Sequence, residues 1–215
     1  MIKILLVDDH ELVRTGIEHL LKAGVDIDVV GTACSGEEAI SLTERLKPDI
    51  VLMDINMPGM GGIDACRRIT HKFPKVKVIA LSAYGEGPFP HQLLSQGARG
   101  YVTKSCPASE LLNAVRTVYE GGCYLSPDVA NKMALSSLPG GDATPFEQLS
   151  YRELQVVIMI LQAKTAQDMA DVLNISNKTV TTYRYRAFEK LGVKNEVELI
   201  RLAARFDLIG ALTQE

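Results

Sequence analysis

The sequence predicts two domains of different class: an α/β domain on a five-stranded, doubly wound parallel sheet, followed by a small all-α domain. Three observations carry this. Short β-rich runs alternate with stretches of helical length through the first half, the pattern of successive βαβ units. Two of those runs, VIAL and IVLM, are continuously apolar, as strands covered on both faces must be. A segment of prolines, glycines and small polar residues, SSLPGGDATP from Ser136 to Pro145, then leads into a half that reads as helix only.

In order, Ile4 to Val7 is the first strand and Glu11 to Lys22 its helix; Val29 to Thr32 is followed by Gly36 to Leu46. Ile50 to Met53 precedes Ile63 to Lys72, Val76 to Leu81 precedes Phe89 to Gln96, and Gly100 to Val102 precedes Ser109 to Glu120. Right-handed crossovers place helices on both faces of such a sheet, and ligands bind beyond the carboxyl ends of its strands. The first domain is read as residues 1–122, and 123–145 as a linker with a short helix candidate over Pro127 to Leu135. Residues 146–215 form the second domain, with helices at Tyr151 to Gln162, Gln167 to Leu173, Asn177 to Leu191 and Glu196 to Phe206. Ser150 and Glu153 open the first of these as a capping box, and Gly192 closes the third.

Bulk properties exclude several classes. Four scattered cysteines with no C-x-x-C pair argue against a disulfide framework or a zinc site. No apolar run approaches the ~18 residues of a membrane span, and the apolar start Met1 to Val7 meets Asp8 and Asp9 at once, so a soluble, cytoplasmic chain with no membrane partner is expected. Nine Lys and Arg balance nine Asp and Glu from Pro145 onward, so the net charge of −3 lies wholly in the first 144 residues. Global charge therefore does not announce a nucleic-acid binder.

The chemistry-bearing residues fall at the strand ends. Asp8 and Asp9 follow the first strand, Asp54 the third, Ser82 the fourth and Lys104 the fifth. Three carboxylates converging on one sheet edge repel one another unless a cation is present, and oxygen ligands of this kind suit Mg²⁺. A carboxylate beside such an ion is a candidate nucleophile toward a phosphoryl group, with Lys104 and Ser82 supplying a cation and a hydroxyl opposite. His10 adjoins the pocket and reads as a solvated residue at a helix start. Turnover by a Mg²⁺-dependent phosphohydrolase with an aspartyl-phosphate intermediate uses the same chemistry, but it would need a D-x-D nucleophile motif in the pocket and a substrate cap, and the strand ends that form the pocket offer neither.

In the second domain, the wheel of Asn177 to Leu191 stacks Val180, Ala187 and Leu191 on one face, with Tyr183 and Phe188 flanking. Lys178, Thr182, Tyr185 and Glu189 point away, bordered by Thr181 and Arg186. Between Lys178 and Lys194, five basic residues meet Glu189 alone. A short helix, a tight turn at Asn174 to Asn177 and a longer helix with a basic, hydroxyl-rich face is helix-turn-helix geometry. Lys178, Arg184, Arg186 and Lys190 are then candidates for phosphates, and Thr179, Thr181, Thr182 and Tyr185 complete the contact set, about a motif from Ala166 to Tyr185. An ordinary solvated helix, or a module binding protein or RNA, fits the wheel too.

The motifs LLVDDHELVR at Leu5 to Arg14, VLMDINMPGMGG at Val51 to Gly62, ALSA at Ala80 to Ala83 and GYVTK at Gly100 to Lys104 together resemble the bacterial two-component response regulators. The segment from LSYRELQVVIMIL to DMADVLNISNKTVTTYRYRAFEKLGVKN is similar to the LuxR-type helix-turn-helix of the NarL/FixJ class, most of all the GacA/UvrY global-activator subgroup. The resemblance implies a flavodoxin-like receiver with Asp54 as phosphoacceptor and with Asp9, Asp54 and the Asn56 carbonyl as ligands of Mg²⁺, Asp8 acting largely through water. It makes Ser82 the switch hydroxyl, Tyr101 the switch aromatic that moves inward, and Lys104 the phosphate-bridging cation. It further implies a sensor histidine kinase and duplex promoter DNA as partners, no enzymatic turnover beyond slow self-dephosphorylation, and a homodimer, when phosphorylated or DNA-bound, through Glu196 to Phe206. Three positions depart from the family pattern: Ser105 stands where many receivers have proline, leaving the Lys104–Ser105 isomer open; Ala163-Lys164 stands where glycine is usual; and Thr181 stands where many members have lysine.

Overall fold

The structure, a computed structural model, describes residues 1–82, 89–136, 144–206 and 208. Among these, residues 1–82 and 93–132 form one compact unit, and 89–92, 133–136, 144–206 and 208 the other. The glycine-rich core of the expected linker, residues 137–143, lies outside the described residues, as does Ala83 of the ALSA motif.

Up to Tyr119 the chain alternates β1 (Ile2–Val7), α1 (Glu11–Lys22), β2 (Ile27–Ala33), α2 (Gly36–Leu46), β3 (Ile50–Asp54), α3 (Gly61–Lys72), β4 (Lys77–Ser82), α4 (Phe89–Ser95), β5 (Gly100–Thr103) and α5 (Ala108–Tyr119). All strand pairs are parallel, in the order β2-β1-β3-β4-β5-β6. The sixth strand, β6 (Tyr124–Leu125), corrects the expected count of five and carries the sheet past residue 122, where the sequence reading ended the first domain. Two residues are too few to show a period, so the sequence gives no sign of this strand. The helix after it, α6 (Pro127–Ser136), occupies the stretch proposed for a short helix.

Alternation along the strands sorts the core into two layers. Ile4 and Leu6 of β1, Ile50 and Leu52 of β3, Ile79 and Leu81 of β4 and Val102 of β5 pack with Ile17 and Leu21 of α1 and Leu111, Val115 and Val118 of α5. The residues between them, among them Leu5, Val51, Met53, Val78, Ala80 and Tyr101, are buried on the other face. Burial on both faces explains why IVLM and VIAL read as unbroken apolar runs.

The second unit holds a one-turn 3-10 helix (Pro145–Gln148), α7 (Tyr151–Leu161), α8 (Ala166–Leu173), α9 (Asn177–Leu191) and α10 (Glu196–Arg205). The 3-10 turn, not foreseen, buries Phe146, whose ring meets Phe206 edge-on at 6.5 Å between centroids. The Ser150 capping box forms as expected: the Ser150 N–H donates to Glu153 Oε2 at 2.7 Å and the Glu153 N–H to Ser150 Oγ at 3.4 Å. Glu153 also takes Lys190 Nζ at 2.6 Å, tying the start of α7 to the end of α9. Burial opposes ionisation of Glu153, but Lys190 and the Ser150 N–H outweigh it and hold the carboxyl below its usual range.

Helix ends in this unit turn on left-handed residues. Gly192 ends α9 at φ 68°, as expected, and Asn174 ends α8 at φ 51°. Ala163 follows α7 at φ 57°, the position where glycine was missed. Around it the Ala163 N–H donates to Ile160 O at 2.9 Å and the Lys164 N–H to Met159 O at 3.0 Å, a Schellman closure made with a residue that has a Cβ.

Candidate functional site

Parallel register brings the candidate residues of the first unit to one sheet edge. Val7 pairs with Met53, Asp54 with Leu81 and Ser82 with Thr103, so the residues that follow emerge side by side where the strand order reverses between β1 and β3. Backbone bonds fix their depth: the Asp8 N–H donates to Ala33 O at 3.1 Å and the Lys104 N–H to Ser82 O at 2.7 Å. Gly62 lets α3 begin against this edge, since a Cβ there would lie 2.0 Å from Asp54 O. The Lys104–Ser105 peptide is trans.

Asp8, Asp54 and Ser82 are buried, and Asp9 half-buried. Lys104 Nζ bridges two carboxylates, 2.7 Å from Asp8 Oδ2 and 2.9 Å from Asp54 Oδ2. The Asn56 N–H donates to Asp54 Oδ1 at 3.1 Å and the His10 N–H to Asp8 Oδ1 at 2.9 Å. Arg14, unassigned by sequence, donates from Nη1 to Asp8 O at 2.7 Å. Burial pushes the Asp54 carboxyl up from its ordinary value, against the pull of Lys104. Burial also disfavours the charged Lys104, but Asp54 and Asp8 overcome it and raise its pKa.

One ammonium contacts two of the three carboxylates, and the buried Asp9 Oδ1 faces only the His10 ring at 3.1 Å. Ligand atoms of Asp8, Asp9, His10 and Asp54 all lie within 4.8 Å of one another. An uncompensated set of convergent oxygens is compatible with Mg²⁺. His10 stands exposed at the start of α1, as expected, with its ring Nδ1 3.1 Å from Asp9 Oδ1.

Tyr101 is fully buried and hydrogen-bonded to Ser82. Burial raises its pKa, with that bond opposing. Tyr101, the expected switch aromatic, stands inside in this structure, level with its β4 partner Ala80.

In the second unit, α8, a turn closed by the Ile175 N–H to Ala170 O at 3.0 Å, and α9 form the helix-turn-helix. Val180, Ala187 and Phe188 are buried and Tyr183 half-buried, while Leu191 is only partly covered. Lys178, Thr181, Thr182, Arg184, Tyr185 and Arg186 share the exposed side. Two expected members depart from it. Thr179 is half-buried, its hydroxyl 2.8 Å from that of the N-cap Ser176, and Lys190 is drawn back to Glu153. Arg184 ion-pairs with Glu196 at 3.2 Å and stacks 5.3 Å from the Phe188 centroid.

Comparison with known proteins assigns the two units separately. Residues 4–116 match the family described as the response regulator receiver domain, and residues 147–203 match the bacterial regulatory proteins of the luxR family. The chain therefore belongs to the bacterial response regulators, with a LuxR-type DNA-binding domain behind its receiver. Along nearly its whole length it is similar to the response regulator GacA of Pseudomonas syringae pv. syringae strain B728a, 47% identical over 98% of this chain and 99% of that protein. It is also similar to the response regulator UvrY of Escherichia coli K12, 44% identical over 99% of this chain and 98% of that protein. Among solved structures, RcsB of Salmonella enterica serovar Typhimurium, bound to promoter rprA in the presence of the phosphomimetic BeF₃⁻, has a TM-score of 0.70 at 23% identity, covering 94% of this chain and 98% of that one. At that identity the likeness is one of fold. The GacA and UvrY relatives support a transcriptional role, and a receiver implies a histidine kinase partner. Among the described residues no helix is long and apolar enough to cross a membrane.

Proposed function

We propose that Asp54 accepts a phosphoryl group from the phosphohistidine of a sensor kinase, and that this controls binding of α9 to promoter DNA. The observation that carries the reading is the buried Asp54 carboxylate at the end of β3, held 2.9 Å from Lys104 and facing the oxygens of Asp8 and Asp9. In the transfer the P–N bond of the kinase breaks as a bond forms to an Asp54 oxygen. Asp9, Asp54 and the Asn56 carbonyl would hold Mg²⁺, with Asp8 acting through water, and the ion supplies charge neutralisation on the phosphoryl oxygens. Asn56 and Lys104 orient the acceptor through their bonds to its two oxygens.

Once formed, the phosphoryl group offers Lys104 and the Ser82 hydroxyl stronger acceptors than they have now. Ser82 is engaged with Tyr101, so an exchange of partners at Ser82 carries the signal from the pocket to that ring. On the output side α9 enters the major groove, with Lys178 and Arg186 on phosphates and Thr181, Thr182 and Tyr185 nearest the bases. Exposed Val197 and Ile200 on α10 support a dimer contact through that helix. We place the protein in the cytoplasm, with self-dephosphorylation as its only turnover.

The pocket reading is tested by mass measurement of the intact chain after incubation with acetyl phosphate and Mg²⁺. One phosphoryl group should appear on the wild type and none on Asp54→Asn. Undiminished labelling of that variant contradicts the assignment.

A further inference from the structure

The acidic pocket offers a nitrogen as well as oxygens. A ligand nitrogen of His10 lies within 4.8 Å of carboxylate oxygens of Asp8, Asp9 and Asp54. Ligand atoms around a first-row dication, each about 2.0 to 2.2 Å from it, stand roughly 3 to 4.4 Å apart, so this set needs little adjustment to close on one ion. The individual distances agree: His10 Nδ1 is 3.1 Å from Asp9 Oδ1 and 3.6 Å from Asp8 Oδ1.

The ring has no other duty in its helix. His10 is the N-cap residue of α1, yet its side chain makes no cap hydrogen bond. Its backbone N–H instead donates to Asp8 Oδ1 at 2.9 Å, which fixes the residue to the pocket wall. The oxygen nearest the ring, Asp9 Oδ1, is buried and has that ring as its near polar neighbour.

We infer that His10 is a protein ligand of the receiver's cation site, making it a mixed oxygen and nitrogen site that takes transition-metal dications of the Co²⁺ type as well as Mg²⁺. The inference rests on the pocket being a divalent-cation site at all. Mg²⁺ prefers oxygen, keeps its water and gains little from an imidazole, whereas later first-row ions bind imidazole strongly. His10 therefore acts on selectivity and leaves Mg²⁺ binding to the carboxylates. Its ring is 65% exposed and caps nothing, so replacing it leaves the fold intact.

The test is calorimetric titration of the full chain at neutral pH with Mg²⁺ and, separately, Co²⁺, for wild type, His10→Ala, His10→Gln and Asp9→Asn. The visible absorption of bound Co²⁺ serves as a second readout. Both His10 variants should lose about tenfold or more in Co²⁺ affinity, with a shifted Co²⁺ spectrum and Mg²⁺ affinity within about twofold of wild type. Variants that lower both affinities alike, or neither, overturn the role of His10. Absence of Mg²⁺ binding to the wild type, or Mg²⁺ binding unaffected by Asp9→Asn, overturns the cation site itself, a separately visible failure.

Discussion

Lys104 stands where a divalent ion and a phosphoryl group would both act. Its ammonium, 2.7 Å from Asp8 and 2.9 Å from Asp54, is the cation that makes their burial tolerable, and it therefore competes with any metal for the same negative charge. Replacing it by the apolar Lys104→Met removes the competitor and leaves the carboxylates more in need of a cation. Mg²⁺ affinity, followed by calorimetry, should rise several-fold, while DNA binding should stop responding to a phosphodonor because no cation remains to answer the new charge. Weaker Mg²⁺ binding in that variant would mean that Lys104 organises the carboxylates and does not compete for them.

At the scale of single elements, the helix ends and faces separate stability from recognition. Ala163 holds a left-handed conformation that costs a residue with a Cβ about 1 to 2 kcal/mol, while glycine there returns about 0.4 to 1 kcal/mol through a more flexible unfolded chain. Ala163→Gly should thus stabilise the second unit by about 0.5 kcal/mol, seen as a higher urea midpoint with unchanged slope; a lower midpoint would show that the strain is relieved elsewhere. On α9, Lys178 and Arg186 are exposed, whereas Lys190 is bound to Glu153. Combined Lys178→Ala and Arg186→Ala should weaken duplex binding and flatten its salt dependence by about two phosphate contacts while leaving the melting temperature alone. Lys190→Ala should do the reverse, lowering the melting temperature because the buried Glu153 loses its cation. Equal effects of these changes on DNA binding and on stability would erase the distinction.

Across the whole molecule, what the sequence reveals is what local signals can carry. The apolar runs of β1, β3 and β4 and the Ser150 capping box are properties of a few adjacent residues, and the structure has them where they were read, to within one or two residues at the ends. Asp8, Asp9, Asp54, Ser82 and Lys104 were legible because a parallel sheet must bring its strand ends together. The pairing of β6, the seat of Tyr101 beside Ser82 and the diversion of Lys190 to Glu153 depend on residues far apart in the chain, and no short window of sequence contains them, whereas His10 meets Asp8 and Asp9 within three consecutive residues. The even charge of the second half hides the basic face of α9 from a global count, but the window from Lys178 to Lys194 shows it. The proposed switch joins that face to Asp54, and the most direct test is duplex binding by the full chain, with and without acetyl phosphate and Mg²⁺, for wild type and Asp54→Asn. The phosphodonor should change the affinity of the wild type and leave Asp54→Asn unmoved; a wild type that ignores the phosphodonor after verified labelling, or a variant that still responds, would contradict it.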